Sequence, residues 1–201
     1  YLFIRDLPAL IAMVQMGVLE IHPWGVRVDR PDRPDRLIFD LDPGEDLGFD
    51  AVVAAALDIR DRLHGKGLAS FVKTTGGKGL HVVLPIDPVH EWPAAKAWTK
   101  AFAERMAADS PELYLTRIAR AERTGRIFID YLRNDPTSTA VGPYSTRARP
   151  GAPVAMPLAW AQLDTRLDPG AYAVTTVADV IDRQPDPWDG LADVRQRLID
   201  L

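Results

Sequence analysis

"SFVKTTGGKGLHVVLP" (70–85) joins two runs with the composition of β-strands through a loop almost bare of bulky side chains. Leu68 to Lys73 and Leu80 to Ile86 read as a strand pair, bridged by Thr74, Thr75, Gly76, Gly77, Lys78 and Gly79, with His81 just beyond. The glycines let successive backbone N–H groups turn toward one point and form an anion nest, to which Lys73, Lys78 and the threonine hydroxyls add charge and donors. A polyphosphate is the natural guest. The spacing is not that of a P-loop: the first glycine of that motif would stand at Val72, and Gly79 replaces the Ser or Thr that would touch magnesium. A hairpin turn alone explains some of the glycines, but not the clustering of lysines and His81 around them.

Upstream, "RLIFDLDPGEDLGFD" (36–50) begins as a strand and breaks at Pro43-Gly44. Alternation puts Ile38, Asp40 and Asp42 on one face and Leu37, Phe39 and Leu41 on the other. The two carboxylates then stand about 7 Å apart at Cα, from a rise of ~3.3 Å per residue, close enough to converge on one metal ion or an ion pair. "GRIFIDYLRN" (125–134) reads as another strand, with Asp130 among apolar neighbours. A buried carboxylate costs several kcal/mol unless a cation lies close. Taken singly, Asp42 could be a turn-former and Asp130 the partner of Arg126 or Arg133; together, three aspartates on apolar strands favour a metal cluster. A calcium-hand loop fits poorly, because Gly44 stands where a ligand is needed and Glu45 where the loop glycine is needed.

The remainder supplies a frame. A helix capped by Asp6 is expected from Leu7 to Met16, then a short strand over "VLEIHPWG" (18–25), then a solvated mixed-charge connector over 27–36. Helices are expected over 49–64 and 91–109, and a proline-rich tail from about Pro150 should hold helices near 175–184 and 188–200. The order β-β-α-β-β-α-β indicates an α/β (α+β) fold rather than a bundle or a sandwich. The tryptophans are scattered rather than interleaved with basic residues, which indicates packing rather than a base-stacking platform.

Composition bounds the chemistry. The 201 residues, 47% hydrophobic, suffice for one domain, with 150–201 as a helical or irregular extension packing on it. Cysteine is absent, so thiolate-metal sites are excluded and hard ions such as Mg²⁺ or Mn²⁺ are favoured. A net charge of −4 does not exclude a nucleic-acid partner whose cationic contacts are gathered on one face. Arg133, Arg147 and Arg149 are candidates for that face. No apolar stretch is long enough to cross a bilayer, and a cytoplasmic location is expected.

The blocks "EIHPWG", "DRPDRLIFDLDPG", "SFVKTTGGKGLHVVLP", "RIFIDYLRN" and "AVGPYSTRARPGAPVAMPL" together resemble the polymerase domain of bacterial ATP-dependent DNA ligase D, within the archaeo-eukaryotic primase superfamily. The resemblance runs over nearly the whole chain, 1–201, and implies a primase-like fold whose RRM-like catalytic sheet is flanked by helices. It implies that Asp40, Asp42 and Asp130 hold two divalent ions, commonly Mn²⁺, and that Thr75, Lys78, His81 and His22 meet the nucleoside triphosphate. Arg133, Arg147, Arg149 and Lys73 would serve nucleotide or DNA phosphates. The implied activity is addition of ribonucleotides, or deoxynucleotides less well, to DNA 3′ ends at gaps and breaks in non-homologous end joining, alongside Ku and a DNA ligase domain. The family usually has serine where Thr75 stands, and its members carry a further segment ahead of the point where Tyr1 begins, so the chain is expected to be an N-terminally truncated relative.

Two other classes fit parts of the sequence. "IFDLDPG" matches the Asp-x-Asp signature of haloacid-dehalogenase-like phosphatases, with Asp40 as nucleophile, although Gly44 stands where that class wants threonine. A non-catalytic module that docks DNA ends or a protein would keep the fold without needing Asp130.

Overall fold

The computed structural model describes residues 2–117, 119 and 122–201. Its core is a six-stranded sheet in the order β4-β5-β1-β3-β2-β6. The strands are β1 (Arg36–Pro43), β2 (Phe71–Thr74), β3 (Leu80–Pro85), β4 (Tyr114–Leu115), β5 (Ile127–Asp130) and β6 (Pro157–Leu158). All neighbours are antiparallel except β4 and β5.

Helix α1 (Leu7–Gln15) starts where Asp6 accepts a hydrogen bond from the Ala9 N–H, and none of its residues is buried. Helices α2 (Phe49–His64) and α3 (Trp92–Asp109) form as the periodicity indicates. Val52, Val53, Ala55, Ala56, Ile59 and Leu63 make one buried stripe of α2, and Ala95, Thr99, Phe102, Ala103 and Met106 one of α3. Leu37, Phe39 and Leu41, the apolar face of β1, are fully buried in the same core. Phe39 meets Phe102 at a ring-centroid distance of 5.0 Å, and Trp98 stacks on Phe102 from the far side at 5.6 Å. One face of the sheet is thereby committed to apolar packing, and the other is left for Asp40 and its neighbours.

Two expected elements do not form. Residues 18–25 contain no strand: they run beside 140–146, with Ile21 N–H donating to Ser145 Oγ at 2.8 Å and Gly142 N–H to the Ile21 carbonyl at 2.9 Å. Their alternation is satisfied by an irregular neighbour rather than a ladder. The tail forms α4 (Val177–Arg183), but no helix over 188–200, only a short 3-10 turn at Leu191–Asp193. Beyond it, Gln196 takes the place of a strand partner, bonding the Ala69 N–H and carbonyl and the Pro85 carbonyl, while Trp98 Nε1 donates to the Ile199 carbonyl. Those tertiary contacts hold the segment extended against its local preference. The tryptophans do serve packing, with Trp160 and Trp188 donating to the carbonyls of Ser70 and Val72 beside β2 and at its second residue.

Asn134 completes β1 where β5 has not yet begun to pair with it. Its Oδ1 accepts from Ile38 N–H, and its Nδ2 donates to the carbonyls of Ile38 and Tyr131, all within 2.9 Å. The side chain is almost fully buried, so truncation strands the Ile38 N–H and carbonyl, while the Tyr131 carbonyl keeps its bond from the Asn134 N–H. Asn134→Ala is expected to cost about 2–3 kcal/mol in urea unfolding with an unchanged m value; a loss below ~0.5 kcal/mol would show that the side chain does not anchor the strand.

Candidate active site

The register of the sheet lines up four functional side chains in one row. Asp130 of β5 lies opposite Asp40 of β1, Asp40 opposite His81 of β3, and His81 opposite Lys73 of β2. Directly opposed residues share a face, so acid, acid, imidazole and amine adjoin across four strands. Asp42 stands two residues beyond Asp40 on the same face, and ligand atoms of Asp40, Asp42 and Asp130 come within 4.8 Å of one another. The three could hold a metal ion.

Cations stand around them, as burial requires. Arg133 Nε bridges the pair, 3.3 Å from Asp40 Oδ2 and 3.2 Å from Asp130 Oδ2. His81 Nε2 lies 3.3 Å from Asp40 Oδ1. Arg123 reaches Asp42 Oδ2 at 3.5 Å while its guanidinium sits 4.5 Å over the Phe128 ring. Burial works against the charge of Asp40, but His81, Arg133 and Lys73 outweigh it and hold the carboxyl below its ordinary value. Asp42 goes the other way: burial, then repulsion from Asp40, pushes it up to about 6 against the pull of Arg123. Asp130 is likewise raised by burial, with Arg133 opposing. Burial and then Lys73 depress His81, and burial lowers Lys73 itself to about 7.

Asp40, Asp42, His81, Arg123 and Arg133 face a cleft of about 360 Å³. Of the residues singled out from sequence, Asp40, Asp42, Thr75, Lys78, His81, His22, Arg133, Arg147 and Arg149 all line it. Asp130, buried and paired with Arg133, is not among the lining residues, and neither is Lys73: Lys73 is 1% exposed, and its Nζ turns to the Thr74 carbonyl at 3.4 Å. It lies behind the wall as a charge for Asp40, where it has no open path to a DNA backbone.

The glycine loop is closed by Thr75, whose N–H and hydroxyl both donate to the Gly79 carbonyl. Gly76 has φ +66°, and a Cβ there would come within 2.6 Å of the Arg147 side chain. A Cβ on Gly77 would meet Arg149 at 2.7 Å, and one on Gly79 the Leu41 carbonyl at 2.5 Å. The glycines therefore serve close approach, bringing two arginines and β1 against the loop. Two polar groups of this site are open to a ligand: Lys78, a donor, is exposed, and the buried His81 Nδ1 has no hydrogen-bond partner.

Sequence reasoning missed Arg123, Thr139 and Glu20. Arg123 sits in an arginine-rich loop where no periodicity sets one residue apart; its place is fixed by Asp46, which accepts from Gly125 N–H, and by Gly44 N–H, which donates to the Arg126 carbonyl.

The raised pKa of Asp42 carries a stability consequence. Its carboxylate is less favourable in the folded than in the unfolded chain, so without a divalent ion stability falls as pH rises from 3.8 through about 6. Asp42→Asn should raise metal-free stability at pH 7, by about 1 kcal/mol once solvent screening of this half-exposed group is allowed for, and should flatten the pH dependence. Thermal unfolding in chelator at pH 4 and pH 7 measures both; a destabilised variant at pH 7 would contradict the charge crowding.

Comparison with known proteins agrees with this geometry. The family model for the LigD primase-polymerase domain matches residues 1–188. The multifunctional non-homologous end joining protein LigD of Pseudomonas aeruginosa is 36% identical over 200 residues, covering 97% of this chain and 24% of that protein. The bifunctional LigD of Bacillus subtilis is 30% identical, covering 92% of the chain and 30% of the protein. The chain thus spans 24% and 30% of the length of these two relatives. The solved polymerase domain of Mycobacterium tuberculosis Ligase D, in complex with DNA, superposes with a TM-score of 0.83 at 32% identity, over 92% of this chain and 67% of that one. The mostly antiparallel sheet and this match leave the phosphatase alternative without support. A family match over almost the whole chain and a shared fold that arranges three aspartates beside a glycine-rich loop lead to one conclusion: the chain belongs to the LigD primase-polymerase domain family.

Proposed function

We propose that the chain is a DNA-repair nucleotidyltransferase that adds ribonucleotides, or deoxynucleotides, to DNA 3′ ends at gaps and breaks. The observation that carries this reading is the row Asp130–Asp40–His81 with Asp42 beside it, of which Asp40, Asp42 and His81 share one cleft with a glycine-rich loop of phosphate donors. The three aspartates would hold two divalent ions, Mn²⁺ or Mg²⁺, since carboxylate oxygens suit hard ions. Bound there, such ions acidify a primer 3′-hydroxyl and neutralise phosphate charge.

The chain's own residues do the rest. Lys78, Arg147, Arg149 and the N–H groups of the glycine loop would bind a triphosphate, charge against charge. His81 Nδ1, buried and unpartnered, is a ready acceptor for a hydroxyl, because the Nε2 of the ring faces the Asp40 carboxylate. Arg133, which bridges Asp40 and Asp130, keeps the carboxylates together and offers its remaining N–H groups to the nucleotide. Asp40 and Asp130 stay fixed because β1 and β5 are paired at those residues, so the site meets its substrate preorganised.

The setting follows the relatives. LigD proteins of similar sequence are named for non-homologous end joining; by analogy, the domain works with a DNA ligase domain and with Ku on broken DNA in the cytoplasm. Among the described residues no helix is long and apolar enough to cross a membrane.

Extension of a labelled primer on gapped DNA by single nucleoside triphosphates with Mn²⁺ tests the reading. Templated addition is expected, with Asp40→Ala reducing it by roughly a hundred- to a thousandfold, the scale on which removing one electrostatic stabiliser acts, while circular dichroism stays unchanged. A folded chain that binds DNA ends in a salt-dependent way, adds nothing, and is indifferent to Asp130→Ala would contradict catalysis and indicate a docking module.

A further inference from the structure

Glu20 contacts two segments that are distant in sequence, at His22 and at Arg147–Ala148. Its Oε2 lies 2.7 Å from His22 Nε2 and 3.2 Å from Arg147 Nε, and its Oε1 accepts from Ala148 N–H at 2.7 Å. Arg147 continues the chain of contacts, donating through a terminal guanidinium nitrogen to the Thr75 carbonyl at 2.5 Å. One carboxylate therefore ties the segment around residue 20 to the 147–149 arginines and, through Arg147, to the glycine loop. The segments are also joined by side-chain-to-backbone bonds: Thr146 Oγ1 donates to the Leu19 carbonyl and Ile21 N–H to Ser145 Oγ.

We propose that Glu20 is a positioning residue for nucleotide binding: it orients His22 and Arg147 toward the triphosphate without touching the nucleotide itself. The inference rests on the nucleotide reading of the cleft. Glu20 is suited to this task because it stays ionised: the Ala148 N–H and the His22 ring lower its carboxyl to about 2, with Arg147 adding to the effect against burial. A carboxylate facing His22 Nε2 favours a proton on that nitrogen and so fixes the orientation of the ring. It also holds the Arg147 side chain, 15% exposed, against Gly76, where any Cβ would collide with it. Positioning of this kind is worth roughly ten- to a hundredfold in affinity when its outer partner is removed.

The test is equilibrium binding of ATP with Mn²⁺ to the wild-type chain, Glu20→Gln and Glu20→Asp, alongside single-nucleotide addition kinetics. Glu20→Gln keeps the shape but gives up the charge, and is expected to weaken nucleotide binding about tenfold or more. KM should rise while kcat at saturating nucleotide and Mn²⁺ affinity hold; Glu20→Asp should recover part of the loss. A merely structural role would instead lower the melting temperature and the active fraction, so kcat would fall and KM would not move. That outcome, or nucleotide binding by Glu20→Gln within twofold of wild type, would overturn the inference while leaving the proposed function intact. Absence of ATP binding by the wild-type chain would overturn both. Should Glu20→Gln fold poorly, Glu20→Asp carries the test: wild-type KM in a variant whose carboxylate is drawn back by a methylene would overturn the proposal equally.

Discussion

Everything at this site depends on placing carboxylates next to one another across a hydrogen-bonded strand pair. Asp40 and Asp130 are opposed residues of β1 and β5, held together by a backbone ladder that cannot yield to their repulsion. At a separation near 4 Å two like charges repel by about 4 kcal/mol at an effective dielectric of 20, an energy the fold must offset. It does so with Arg133 between them and with His81 and Lys73 along the same row. The cost is tolerated because the other face of β1 is sealed against α2 and α3 by Leu37, Phe39 and Leu41. A one-residue slip in register would send the aspartates into that core and the leucines into the cleft, so the apolar face enforces the geometry of the acidic one.

The second constraint is close approach. The donor loop is built from residues 75–79, yet its cations come from Arg147 and Arg149, far along the chain, and its third wall from His22. Gly76 and Gly77 let the arginine side chains lie directly on the loop backbone, and Gly79 lets the loop's exit lie against β1. The triphosphate donors and the carboxylates thus belong to one packed unit, and Glu20 links the parts that no ladder connects.

How much of this was legible in sequence follows from the range of each interaction. Helices α2 and α3, β1 and the β2–β3 hairpin were readable because their periodicity and turn residues are local. So were the aspartates, since alternation along a strand puts Asp40 and Asp42 on one face whatever the partner. The strand expected at 18–25 and the helix expected at 188–200 failed for a common reason: side-chain bonds from Ser145 in one case, and from Gln196 in the other, decide the conformation over distances that pattern cannot see. Strands β4 and β6, two residues each, are too short to carry a pattern at all. Lys73 was visible as a cation, but its burial follows from its pairing with His81 and Pro157. Arg123 and Glu20 escaped notice because their importance lies wholly in what they touch.

The central claim is that the aspartate triad and the donor loop form a single site for a divalent ion and a nucleoside triphosphate. Calorimetric titration of Mn²⁺ into the protein, with and without a non-hydrolysable ATP analogue, measures that coupling directly. The account predicts Mn²⁺ binding that tightens when the analogue is present and is lost, coupling included, in Asp130→Asn. Binding that is indifferent to the analogue, or that survives intact in the variant, would contradict it.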